Sequence, residues 1–188
     1  MSQATLDTNN CYQSPYGWQI DLPAGWHAIG QENPVAPGPD QYAPVTVFCQ
    51  DSDQSNSFSW MVSKRAIDKH LAAQFMSLAI LPGPVAEEEI SFLLPRIFPA
   101  IGQICSTSIG EGEDGSRALE VVEAFQQGDT EKLGYQRIFL LKNGGEIFFQ
   151  RLAFYAPLPI FERLIDSIKK SAQTFAYNRS YGLKPISI

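Results

Sequence analysis

At 188 residues, with 44% hydrophobic and 12% aromatic residues, this chain is long enough to bury a core without the help of a metal ion or a disulfide. The 14 basic residues are scattered and are outnumbered by 20 acidic ones, which excludes the clustered basic surface of a nucleic-acid-binding protein. The three cysteines, Cys11, Cys49 and Cys105, form no Cys-x-x-Cys pair, which excludes a zinc knuckle or a thioredoxin-like motif and indicates reduced thiols.

The first half of the chain alternates turn signals with short apolar runs. Residues 1–14 are polar and predict a flexible tail. Residues 16–22 alternate apolar with polar positions, as a half-buried strand does, and Pro23 and Gly25 predict a turn before a short strand at 26–29. A proline-rich loop follows over 30–44, then strands at 45–50 and 58–63. Apolar residues at three- and four-residue spacing predict a helix over 66–81.

Residues 82–115 are predicted to form an apolar insertion. Within it, 87–104 carries eight large apolar residues and is broken by Pro95 and Pro99, which a regular helix does not tolerate. These side chains cannot all face inward from one regular element. The segment is therefore a plug of the core or a homodimer contact, or else an exposed patch for a partner or a lipophilic ligand. The apolar candidates for an interaction surface are Phe92, Leu94, Ile97, Phe98 and Ile101.

The second half predicts a meander and one clear helix. Strands are expected at 118–126, 135–141 and 146–155, the last two joined by a hairpin at Asn143-Gly144. Residues 157–171 place apolar side chains on one helical face and charged ones on the other. Phe175 is expected to close onto the core, and 178–188 to be a C-terminal extension. A single domain over 15–177 follows.

This order of elements resembles the PsbP-like superfamily. The likeness covers about three quarters of the chain and is loosest between 82 and 115. The residues that carry it lie near both ends of the chain: Tyr16, Leu22-Pro23 and Gly25-Trp26, then Asn143-Gly144, Phe161, Leu164, Ile168 and Phe175.

The resemblance implies a twisted antiparallel sheet packed against helices. The superfamily includes the extrinsic photosystem II protein, a Ran-binding nuclear transport factor and bacterial lipoproteins or secretion-effector chaperones, which share a fold rather than a reaction. It brings no catalytic set to transfer. A photosystem protein would also need an export signal, whereas the first ten residues are polar and contain no lysine or arginine. We therefore expect a cytoplasmic protein.

Few residues of the chain point to chemistry. His27 and His70 are the only histidines, and each is expected to be solvated or structural rather than a base or ligand. The acidic run at 87–89 suits the first turn of a helix, and 110–115 lacks the frame of a calcium loop. Arg137 and Arg151 are added to the predicted interaction surface, because an arginine among aromatic residues can stack on them or anchor an anion. The alternative is an outward sheet face where arginine and tyrosine cover each other.

These patterns predict an α+β domain with an antiparallel sheet and helices on one side. We expect an acidic, soluble, non-enzymatic accessory or adaptor protein that binds another protein through the open face of the sheet or through 90–104. No cofactor, metal, nucleic-acid partner or membrane span is expected. Two alternatives stay open. One is a small-molecule-binding protein or hydrolase that uses His70 or Cys105 in a pocket between sheet and helices, and the other is a self-associating subunit such as a homodimer.

Overall fold

The computed structural model describes residues 6–14, 17–32, 41–79, 82–91, 93–94, 102–112, 116–177 and 184–185. Its strands, in chain order, are β1 (Leu6–Gln13), β2 (Trp18–Pro23), β3 (Trp26–Glu32), β4 (Gln41–Asp51), β5 (Ser57–Ile67), β6 (Gly83–Pro84), β7 (Gln103–Glu111), β8 (Arg117–Gln127), β9 (Thr130–Asn143), β10 (Glu146–Pro157), β11 (Ala176–Tyr177) and β12 (Lys184–Pro185). Its helices are α1 (Lys69–Leu78), α2 (Glu87–Ile90) and α3 (Leu158–Gln173). The predicted α+β class is confirmed.

One long antiparallel sheet dominates the fold. Its strand order is β3-β4-β5-β10-β9-β8-β7-β6, and β12 joins it beside β9. The predicted hairpin connects β9 to β10 through Gly144, whose φ of 60° is the left-handed conformation that a two-residue turn requires. A second, three-stranded sheet has the order β1-β2-β11. The predicted turn at Gly25, which also has a positive φ, lies between the two sheets because β2 and β3 belong to different ones.

The two faces of the long sheet bury separate hydrophobic clusters. On the face that we name the α3 face, α3 and the small sheet pack against β4, β5, β9 and β10. Trp26 lies in the same cluster as Phe161, Leu164 and Ile168 of α3. The turn and the helix stripe therefore share one interior.

The opposite face, the α1 face, buries a second cluster under α1 and the turn that follows α2. Phe75 of α1 meets Phe149 of β10 edge to face, with ring centroids 5.0 Å apart. Ile90 and Leu93 fill the same cluster. Helices thus cover both faces, and the prediction of helices on one side is wrong. The reason is that β10 alternates apolar residues on both of its faces, so that one layer of helices cannot bury it.

Other elements also differ from expectation. Residues 6–13 form a strand, although a polar tail is predicted there, because backbone pairing with β2 holds them and Tyr12 packs against Trp18 of the core. The helix predicted over 66–81 is wrong at its start: β5 continues to Ile67, and Asp68 accepts a hydrogen bond from the Leu71 amide as N-cap of α1. Residues 103–111, part of the predicted insertion, form β7 within the long sheet. Among the described residues, no helix is long and apolar enough to cross a membrane.

Candidate functional site

Four polar side chains lie together on the α1 face of the sheet, beyond the apolar cluster. They are Glu123 of β8, Gln136 of β9, and Arg151 and Tyr155 of β10. Strand alternation puts them on the same face as Ile138 and Phe149, which are core residues. Glu123, Gln136 and Arg151 are buried, with Gln136 fully inaccessible. Burial makes hydrogen-bond partners for these groups obligatory.

A chain of hydrogen bonds joins the two charges through the Gln136 amide. Arg151 Nε donates to Gln136 Oε1 at 2.6 Å, and Gln136 Nε2 donates to Glu123 Oε1. Arg151 Nη2 donates to the Tyr155 hydroxyl at 2.7 Å. The other carboxylate oxygen of Glu123 accepts the backbone N–H of Gly102 at 2.6 Å. The amide thus has its acceptor turned to the cation and its donor turned to the anion.

Gly134 makes the room that this network needs. It lies on β9 between Glu123 of β8 and Tyr155 of β10. A Cβ there would stand 2.8 Å from a ring carbon of Tyr155 and 3.1 Å from Cγ of Glu123. The Tyr155 ring instead crosses over β9 and meets Phe125 of β8 edge to face, at 5.2 Å between centroids. Burial raises the pKa of Tyr155 to about 12, so this phenol stays protonated at physiological pH.

A second polar cluster lies on the α3 face. Arg137 Nη1 lies 2.8 Å from Glu120 Oε1 in an ion pair. The Tyr135 hydroxyl donates to the same oxygen at 3.0 Å. Burial, with the Glu120 charge beside it, raises the pKa of Tyr135 far above its usual value. This carboxylate is thus held by two donors from β9.

The structure separates the residues predicted as one interaction surface. Arg137 is 4% exposed and Arg151 is 6% exposed, and they lie on opposite faces of the sheet in different clusters. Leu94 is 2% exposed and belongs to the cluster of the α1 face. The remaining members, Phe92, Ile97, Phe98 and Ile101, lie outside the described residues. A binding surface made of these residues stays a prediction.

Glu123, Gln136 and Glu120 were missed by reasoning from sequence, and one signal could have found the first. Alternation in the predicted strand 118–126 places Glu123 on the same face as Leu119 and Val121. A carboxylate on an otherwise apolar face requires a buried partner. The partner itself could not be named, because the pairing of β8, β9 and β10 is what brings Gln136 and Arg151 beside it.

Part of the α1 face keeps solvent exposure. We call it the outer sheet face and define it by half-buried residues of β4 and β5 that point away from the α3 face: Thr46, Phe48, Ser59, Met61 and Ser63. Phe48 and Met61 belong to neither hydrophobic cluster. One cross-strand row leads from Phe48 through Ser59, Tyr155 and Gly134 to Glu123. The outer sheet face therefore continues directly into the Glu123–Arg151 network.

The residues of the hydrolase alternative do not form a constellation in the described structure. His70 is exposed on α1, and its Nε2 lies 3.3 Å from the Gln74 amide nitrogen. Cys105 is exposed on β7, with its Sγ near the Gln103 carbonyl. Burial raises the pKa of the Cys49 thiol to about 12, which keeps it protonated. Among the described residues, no group of three or more His, Cys, Asp or Glu side chains could hold a metal ion.

Lys64 lies between aromatic rings at the far end of the α3 face. Its Nζ lies 5.0 Å from the centroid of Phe148 and 5.6 Å from that of Tyr177. The Tyr177 hydroxyl donates to Gln150 Oε1 at 2.6 Å, which fixes this ring. Burial lowers the pKa of Lys64 to about 8, and the nearby Glu146 opposes that shift. The cluster is thus a partly desolvated cation held against two rings.

Comparison with known proteins gives likenesses of structure. No protein-family model matches the sequence, and no curated protein matches it. LpqN, involved in cell envelope biogenesis of Mycobacterium tuberculosis, matches 89% of this chain and 87% of its own at 16% identity, with a TM-score of 0.47. A cyanobacterial PsbP (CyanoP) from Synechocystis sp. PCC 6803 matches 93% of this chain and 91% of its own at 14% identity, with a TM-score of 0.40.

One of these two solved structures is a PsbP protein, and the sequence resembles the PsbP-like superfamily. At such identities the likeness concerns the course of the chain. No activity, ligand or partner passes from these proteins to this one.

The clearance at Gly134 predicts a specific loss of stability. Gly134→Ala should cost about 1–3 kcal/mol, because the new methyl group meets the Tyr155 ring in a packed layer. Gly145→Ala is the matched control, since a Cβ there meets nothing within 4 Å. Urea unfolding measures both. Combining Gly134→Ala with Tyr155→Ala should recover part of the loss, and a strictly additive result would contradict the clash.

Lys64 predicts a rise of stability with pH. Because its pKa falls from 10.5 to about 8 on folding, the unfolded chain holds this proton more tightly between those values, and unfolding becomes less favourable as the pH rises through them. Relative to Lys64→Met, the wild type should therefore gain stability from pH 8 to 10.5 in urea titrations. Lys69→Met, at an exposed position on α1, is the control. Parallel profiles of wild type and Lys64→Met would show that folding does not lower the pKa of Lys64.

Proposed function

We propose that this protein is a non-enzymatic accessory or adaptor protein that binds another protein. Its binding surface is proposed to be the outer sheet face together with the apolar residues Phe92, Ile97, Phe98 and Ile101. The observation that carries the proposal is the partly buried pair Phe48 and Met61, which lie on a sheet face outside both clusters and keep some solvent exposure. Apolar groups that keep solvent exposure on one continuous surface are typical of interfaces.

The composition of the outer sheet face suits a protein partner. Its members are uncharged, with Thr46 and Ser59 beside the two large apolar side chains and with the hydroxyl oxygen of Ser63 buried beneath them. Depletion of charge with enrichment of aromatic residues and methionine is the pattern found at interface cores. Arg65, two residues after Ser63 on β5, is exposed at the border of this face, whereas Arg151 and Glu123 are held by partners within the protein. Arg151 and Glu123 fix the floor of the surface.

The length of the chain before Gly102 allows the apolar segment 95–101 to reach the same surface. The segment 95–101 ends at Gly102, whose N–H is fixed by Glu123 on the α1 face. Glu123 on β8 is four strands from Phe48 on β4, or about 19 Å across the sheet. Seven residues can span at most about 25 Å. A partner with a typical footprint of about 800 Å² could therefore contact both parts at once.

Photo-crosslinking in native lysate tests the proposal. A benzophenone side chain placed at Phe48, and in a second sample at Phe98, should give an adduct with the same protein, identified by mass spectrometry. Ala176, exposed on β11 behind the opposite face, is the control position and should give no such adduct. Phe48→Asp should reduce recovery of that partner at least tenfold while thermal unfolding stays within a few degrees of the wild type.

Two results would count against the proposal. Adducts spread evenly over positions 48, 98 and 176 would indicate unspecific collision. Undiminished recovery of the partner by Phe48→Asp and by Phe98→Asp would remove both parts of the surface.

A further inference from the structure

Strand β9 is longer than its neighbour β8, so β8 does not cover the whole of the β9 edge that it pairs with. Pairing of β8 with β9 runs from Gln127 to Leu119, which is opposite Ile138, while β9 continues to Asn143. Beyond that point β12 pairs with Leu141 and Lys142, on the edge that β10 leaves open. Unpaired backbone groups at a sheet edge are a template for another strand. The C-terminal strand thus occupies an acceptor position that β8 does not fill.

Apolar side chains form the floor of this position. Leu141 and Phe148 face each other across β9 and β10 on the α3 face and are 1% and 3% exposed. Neither belongs to the two large clusters. Lys64 and Tyr177 adjoin Phe148 through the cation–ring contacts described above. The chain leaves this floor at Tyr177 and returns to it at Lys184.

We propose that this edge is an exchangeable strand-acceptor site, and that its second occupant is the C-terminal strand of another copy of this chain. An identical strand is as complementary to this edge and floor as the resident strand. Exchange between copies is therefore a low-cost route to a dimer. The resident pairing involves two residues, and Pro185 has no N–H to donate, so release forfeits few hydrogen bonds. Residues 178–183 can extend about 20 Å, enough to reach a neighbouring molecule.

Charge favours the same exchange. The last eleven residues contain Arg179 and Lys184 and no acidic residue, which leaves 12 basic against 20 acidic residues in the rest of the chain. This basic segment of the sequence is therefore attracted to the acidic body of a second copy as well as to its own. This edge is separate from the surface proposed for the protein partner, so failure of either proposal leaves the other unaffected.

A peptide of residues 178–188 with a fluorescent label is the probe, and full-length proteins are the receptors. In the wild type the resident strand competes for the edge. Lys184→Pro removes a second N–H from β12 and should open the edge, so this variant should bind the peptide at least about tenfold more tightly in fluorescence anisotropy. Lys184→Ala keeps the N–H and should behave as the wild type. A scrambled peptide should bind none of the proteins.

Light scattering from micromolar to millimolar concentration tests the second copy directly. The wild type should dimerise as concentration rises, and Lys184→Pro should not. Equal peptide binding by wild type and Lys184→Pro would overturn the acceptor site. Peptide binding without a wild-type dimer would overturn the second copy as occupant, and an equal dimer in Lys184→Pro would show that copies meet elsewhere.

Discussion

Strand β10 is buried on both of its faces, so every polar side chain that it carries needs a partner within the protein. Residues 148–154 are buried in unbroken succession. On one face Leu152 and Phe154 join the cluster under α3, and on the other Phe149 joins the cluster under α1. Arg151 lies among them. An isolated buried charge costs several kcal/mol, and the hydrogen-bonded path through Gln136 to Glu123 is what compensates for it.

This constraint orders the rest of the α1 face. Glu123 reaches Gln136 on one side and fixes the Gly102 amide on the other, so the network that satisfies Arg151 also anchors the end of the apolar segment. Gly134 keeps the space above β9 clear for Tyr155. What the network presents outward is a fixed, uncharged surface through Ser59 and Phe48.

Sequence reasoning found the elements whose signals are local. The Gly25 turn, the hairpin at Gly144 and the stripe of Phe161, Leu164 and Ile168 each depend on a few adjacent residues, and each is confirmed. Strand β7 was missed because its sequence is rich in serine and threonine and is held by pairing with β8. The candidate site was found only in part. Arg151 was selected for its aromatic neighbours, but its burial and its link to Glu123 depend on the register of three strands.

A double-mutant cycle of Glu123→Gln and Arg151→Met, measured by urea unfolding, shows whether the two buried charges compensate each other. Each single change leaves one buried charge without its counterpart and should cost about 3 kcal/mol or more. The double variant removes both charges and should cost at least about 1 kcal/mol less than the sum of the two. Additivity within about 0.5 kcal/mol would show that Glu123 and Arg151 are energetically independent and that the path through Gln136 does not compensate for the buried charge of Arg151.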